Sequence, residues 1–253
     1  KDRQLTEITQ ILLITFVAFI ATLMSAMCGA GSSLITTPVW LALGYPLPVA
    51  IASNTVSGSF WTLVAARNFL KGHEIDWRLV AGLVICGMSG AFFGTRVIVS
   101  CDPQILQQLI GVIIISLVAF SLLRKNFGVD TTTPSTNRML TSLAAFPLGF
   151  YEAFYGSGNS LFTSALLTKT RGFKFLKARG YSCVLGFFWC TFAAAIYLQG
   201  GKWNITLMLP AIIGSAFGAS IGSKIGAKKG EGFARTLFII IGTILGMKLL
   251  MRI

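Results

Sequence analysis

The sequence predicts an all-α polytopic membrane protein made of two repeats, each with four long spans and one short helix, the second repeat inverted relative to the first. Three observations predict it. Of 253 residues, 54% are hydrophobic and only 11% charged, whereas a soluble domain carries about a quarter charged residues. Eight apolar runs are each near the ~20 residues that cross ~30 Å of hydrocarbon. A glycine-rich motif, Gly29-Ala30-Gly31-Ser32-Ser33-Leu34, recurs as Gly156-Ser157-Gly158-Asn159-Ser160-Leu161.

In chain order the first half, residues 1–125, holds apolar runs at 10–27, 48–66, 79–99 and 104–123. The run at 10–27 reads as a span rather than a cleavable signal, because no small-residue cleavage site follows it. The polar stretch 126–136 links to the second half, 137–253, with runs at 139–155, 180–198, 203–223 and 233–251. A shorter run follows each glycine motif, at 33–43 and 159–168. The halves also match at Gly44 and Gly172, at Ala50 and Ala178, at Trp77 and Trp203, and at Gly90–Gly94 and Gly218–Gly222.

The net charge is +13. The lysines and arginines flank apolar spans, so membrane topology and anionic lipid explain them better than nucleic acid does. If only the eight long runs cross, the 21 basic residues divide eleven to ten between the two sides. If the short runs also cross, fifteen collect on one side. The positive-inside rule favours the second arrangement. With five segments per half, it also inverts the halves, an architecture frequent among secondary transporters.

Irregular glycine-rich backbone at membrane depth is tolerated where it lines a protein cavity. A helix that starts there offers unpaired N–H groups and a positive dipole end, which attract anions. Gly29, Gly31, Ser32, Ser33, Gly156, Gly158, Asn159 and Ser160 are therefore candidate substrate ligands. Asn54 in the 48–66 run and its counterpart Ser182 join them; interhelical hydrogen bonding is an equally weighted alternative for this pair. Glu152 is the one acid deep in a span, and intramembrane ionisable groups are functional candidates by default. It is the proton-coupling candidate, against a structural pairing with a basic residue. Lys177 and Arg179 are weaker anion-pairing candidates, against snorkelling to the headgroups. Gly214, Gly218, Gly222 and Gly226, spaced by four, read as a close-packing stripe. Trp40, Trp61, Trp77 and Trp203 read as interface anchors or packing residues. The five cysteines show no metal or disulfide spacing and read as apolar packing residues. His73, the single histidine, lies in a charged loop, and no nucleophile elbow or zinc-protease pair occurs. No enzyme, no metal and no cofactor is expected.

The duplicated motif, Pro38 after its first copy, the Gly90–Gly94 and Gly218–Gly222 segments, and the lead-in Gly149-Phe150-Tyr151-Glu152-Ala153-Phe154-Tyr155-Gly156 resemble the TauE/SafE sulfite exporter family over nearly the whole chain. The chain departs from that pattern where consecutive glycines are common, having Ser32-Ser33 and Asn159-Ser160, and it has Ala165 where a second proline would match Pro38. The resemblance implies transport of small sulfur-containing anions. The expected function is secondary transport of a small anion, sulfite or an organosulfur or sulfonate compound, by alternating access at a mid-membrane site between the repeats. A passive anion channel is the alternative. Expected partners are the small anionic substrate and membrane lipid, with no nucleic acid and with a homodimer left open. The expected location is the plasma (inner) membrane, multi-pass.

Overall fold

A computed structural model describes residues 2–29, 31–100 and 137–229 and the single positions 105, 112, 116 and 243. The expected spans at 104–123 and 233–251 and the linker 126–136 lie outside the described residues. The described elements are all helical: α1 (Asp2–Cys28), α2 (Ser33–Ala42), α3 (Leu47–Phe69), α4 (Trp77–Ser100), α5 (Arg138–Leu143), α6 (Ala145–Phe154), α7 (Asn159–Arg171), α8 (Phe175–Gln199) and α9 (Ile205–Lys229). Among them, α1, α3, α4, α8 and α9 are long and apolar enough to cross a membrane. Large apolar side chains such as Leu12, Phe16, Ile85, Phe93, Leu209 and Phe217 face outward, while Thr22, Ser53, Asn54, Asn159, Ser182 and Ser215 are buried. This distribution suits a lipid surround, in which polar groups find partners only inside the protein.

The run read as one span at 139–155 is two helices. Pro147 has no N–H to give the Leu143 carbonyl, so the helical ladder lapses there. The chain turns at Ala144, between α5 and α6.

The helix ends follow from local chemistry. The Asp76 carboxylate accepts from the Leu79 N–H at 3.2 Å and caps α4. The Asn204 side chain does the same for the Leu207 N–H at 3.1 Å and caps α9. These caps are 128 residues apart (76 to 204). Gly44 (φ +87°) follows α2 and Gly172 (φ +65°) follows α7, so both short helices end on a left-handed glycine.

Helices early and late in the chain pack closely on one another. The glycine stripe of α9 lies on the backbone of α1. A Cβ at Gly214 would strike the Thr15 carbonyl, one at Gly218 the Phe19 carbonyl, and one at Gly222 the Leu23 carbonyl. In the same way, a Cβ at Gly90 would strike the Phe146 carbonyl and one at Gly94 the Phe150 carbonyl, which sets α4 on α6. Small residues permit this approach, the usual basis of tight helix association in membranes. In both pairs the residue numbers rise together, so the paired helices run parallel. Because the Gly218 Cβ would displace backbone, Gly218→Val is expected to destabilise the protein by at least ~1–3 kcal/mol, read as a lower midpoint of thermal unfolding in detergent.

Helices α3 and α8 cross antiparallel near their midpoints. A Cβ on Gly58 would lie 3.0 Å from Cys190 Sγ, and one on Gly186 3.2 Å from Thr62 Cγ2. The short helices fold back beside the helices that precede them. Tyr45, just past α2, accepts through its hydroxyl from Gln10 Nε2 at 3.2 Å. Trp40, Leu43 and Ala50 pack with Ile14 and Ala18 of α1. In the other half, Leu167 and Ala178 share a cluster with Ala145. Helix α3 therefore starts beside the first part of α1, and α2 makes the return.

Candidate functional site

The site is built on the two glycine turns. Gly29 (φ +77°) and Gly31 (φ +80°) match Gly156 (φ +72°) and Gly158 (φ +77°). All four need the left-handed region that only glycine enters freely. The turns touch each other: a Cβ at Gly31 would lie 2.7 Å from Ser157 Cα and 3.0 Å from the Gly158 nitrogen. Tyrosine hydroxyls fix the irregular backbone. Tyr151 donates to the Ser157 carbonyl at 2.6 Å, Tyr197 to the Ala153 carbonyl at 2.9 Å and Tyr155 to the Ser33 carbonyl at 3.3 Å. Helix α2 begins after Ser32 and α7 after Gly158, and neither start carries a side-chain cap. Two helix N-termini thus meet near the α3–α8 crossing.

Two small cavities flank this contact. The first is lined by Ser32, Ser33, Asn54, Thr55, Tyr155 and Cys190, the second by Asn159, Ser160, Thr163, Ser182, Cys183 and Gly186. Gly31, Trp61, Glu152 and Gly156 line both and form the wall between them. Of the residues expected to bind substrate, Gly31, Ser32, Ser33, Asn54, Gly156, Asn159, Ser160 and Ser182 are brought together here, with Glu152 at the centre. Gly29 and Gly158 belong to the turns but line neither cavity.

The hydrogen bonds distinguish the roles. Asn54 ties α3 to α2: its Oδ1 accepts from Thr36 Oγ1 at 2.8 Å and Trp40 Nε1 at 2.9 Å, and its Nδ2 donates to Thr37 Oγ1 at 2.9 Å. Most of its capacity is spent on the helix contact. Ser160 Oγ accepts from Ser182 Oγ at 2.9 Å and from Arg179 Nη1 at 2.6 Å. Glu152 accepts at Oε2 from Asn159 Nδ2 at 2.5 Å and at Oε1 from the Cys190 thiol at 3.3 Å. Among the described residues its partners are thus an amide and a thiol, not the basic side chain of the structural alternative. The Asn159 amide also donates to the Leu148 carbonyl at 3.1 Å, while its Oδ1 is buried without a partner.

The two basic candidates separate. Lys177 lies outside both cavities, near the start of α8. Its Nζ sits 4.7 Å from the Phe173 ring centroid and 6.0 Å from that of Tyr181, a cation–π position. Those two rings pack together with their centroids 4.8 Å apart.

Arg179, two residues further along α8, also lines neither cavity but touches the site through Ser160. It is 2% exposed, and its Nη2 donates to the Ala26 carbonyl at 3.1 Å while Nη1 holds Ser160. Its guanidinium lies 5.2 Å from the Phe69 ring centroid and occupies the space beside Gly29, where a Cβ would collide with it. Among the described residues no carboxylate forms an ion pair with it.

Trp61, Cys183 and Cys190 also line the cavities, although their residue types alone suggest packing. A signal for this stretch does exist in the chain. Trp61 and Trp189 are 128 residues apart, as are Gly58 and Gly186, so a constant offset marks the facing segments of α3 and α8. The tryptophans divide by environment: Trp40 and Trp61 are buried, while Trp77 and Trp203 are exposed near helix starts.

A bundle of membrane-length helices with polar side chains buried inside it is that of a multi-pass membrane protein. The sulfite exporter TauE/SafE family model matches residues 14–249, and the chain belongs to that family. It is 28% identical over 232 residues to a probable membrane transporter protein of Haemophilus influenzae, covering 90% of each chain. It is 24% identical over 225 residues to the probable membrane transporter protein YfcA of Escherichia coli K12, covering 87% of this chain and 82% of the relative. No solved structure matches.

Proposed function

We propose that the protein is a secondary transporter of a small anion, sulfite or an organosulfur or sulfonate compound, working by alternating access between two inverted repeats. The observation that carries this reading is the contact between Gly31 and the Ser157–Gly158 backbone, which brings two uncapped helix starts together beside polar cavities. Helix N-termini favour anions through their free N–H groups and dipole. The reciprocal packing supports the repeat: Phe19 with Gly218 and Phe146 with Gly90, Gly58 with Cys190 and Gly186 with Thr62. The antiparallel crossing of α3 and α8 supports inversion, since these helices hold equivalent places in the two halves.

In this reading the anion rests between the turns, and rocking of one helix group against the other opens the cavities to alternate sides. Glu152, in the shared wall, carries the coupled proton. The test is flux into proteoliposomes. Saturable uptake of radiolabelled sulfite, with counterflow and acceleration by an inward proton gradient, is expected. Flux that never saturates and shows no counterflow would instead mark a channel, and absence of anion flux would overturn the reading.

A further inference from the structure

We propose that the site selects singly charged oxyanions over doubly charged ones, with Arg179 setting the charge it accepts. The inference rests on the anion-transport reading above and adds the class of anion. Arg179 is a buried, permanent cation. Its contacts are Ser160 Oγ, the Ala26 carbonyl at the end of α1 and the face of Phe69, which are dipolar or quadrupolar groups. A buried cation without a counter-ion is costly. Arg179 itself lines neither cavity; its link to the second is Ser160, which lines that cavity, is held directly by Arg179 and accepts from Ser182.

The charge count then limits the ligand. Lys177, against the Phe173 and Tyr181 rings, and Arg96, 4.3 Å from the Phe92 ring centroid, line neither cavity. Glu152 lines the same cavity and can be neutral or negative but never positive. Among the described residues one buried formal cation stands beside the cavity, and the two helix starts add only partial charge that falls off within a turn, so one formal negative charge is compensated in full. A dianion would leave an uncompensated charge beside Glu152 in a water-poor interior, where Coulomb repulsion is weakly screened. The selected class is a compact oxyanion with one formal charge, such as an alkanesulfonate or hydrogen sulfite. Arg179 acts through Ser160 and is a positioning residue.

The experiment compares methanesulfonate and sulfate at pH 7, one singly and one doubly charged, by calorimetric titration of the full chain in detergent. Methanesulfonate is expected to bind at least about tenfold more tightly than sulfate. Arg179→Gln is expected to weaken binding of both anions, sulfate the more, because a cation attracts a dianion about twice as strongly as a monoanion. Because Arg179 also holds Ala26, Arg179→Lys serves as the second variant: it keeps the charge and is expected to keep the preference at reduced affinity. Sulfate binding as tight as that of methanesulfonate, or a folded Arg179→Gln that binds methanesulfonate as tightly as the unaltered protein, would overturn the inference and leave anion transport standing. Binding of neither anion would overturn both.

Discussion

Gly31→Val is expected to abolish transport while leaving the helices formed. Gly31 has φ +80°, and a Cβ there would press on Ser157 Cα at 2.7 Å and the Gly158 nitrogen at 3.0 Å. A non-glycine residue in the left-handed region costs about 1–3 kcal/mol, and the close neighbours are backbone, which cannot rotate aside. The two turns must separate, and the helix starts no longer share one ligand. Uptake into proteoliposomes should fall at least about tenfold, the equivalent of ~1.4 kcal/mol. Gly72→Ala is the control: Gly72 has φ +82° but nothing within 4 Å of the added Cβ. It carries the strain without the collision and should retain uptake. Equal losses in both variants would trace the effect to backbone strain rather than to the contact between the turns.

A second pronounced loss is expected at Glu152. Glu152→Gln keeps the size and an acceptor for Asn159 Nδ2 but removes the exchangeable charge. Accumulation driven by a proton gradient should disappear, while exchange of labelled for unlabelled anion persists, because exchange needs no net proton movement. Loss of both activities would assign Glu152 to holding the turn, and unchanged gradient-driven uptake would remove it from the coupling path.

Much of this arrangement is legible in the residues. The glycine turns, the short helices after them and the small-residue stripes all appear where spacing places them, because each depends on local chemistry: a left-handed glycine, an interrupted apolar run, a period of four. The break at Ala144 depends on one missing donor at Pro147, which hydropathy does not register. Arg179 is harder to read. A basic residue near the start of a span ordinarily reaches for the headgroups, and only tertiary packing shows it turned inward to Ala26 and Ser160. The partners of Asn54 are latent in the sequence: Thr36, Thr37 and Trp40 lie on one short helix, but their convergence on a single amide requires the fold-back of α2. Trp61 resembles a membrane-interface anchor by type, whereas its place within α3 puts it in the wall between the cavities.

Anion transport through this fold requires the substrate to sit where the two glycine turns meet. Anomalous scattering from crystals grown with a bromoalkanesulfonate would locate it. A bromine peak is expected inside the bundle, in the cavities bounded by Gly31, Trp61, Glu152 and Gly156, with the sulfonate beside Ser160. A peak confined to the connections around Lys71 or Lys174, with the interior cavities unchanged, would contradict that placement.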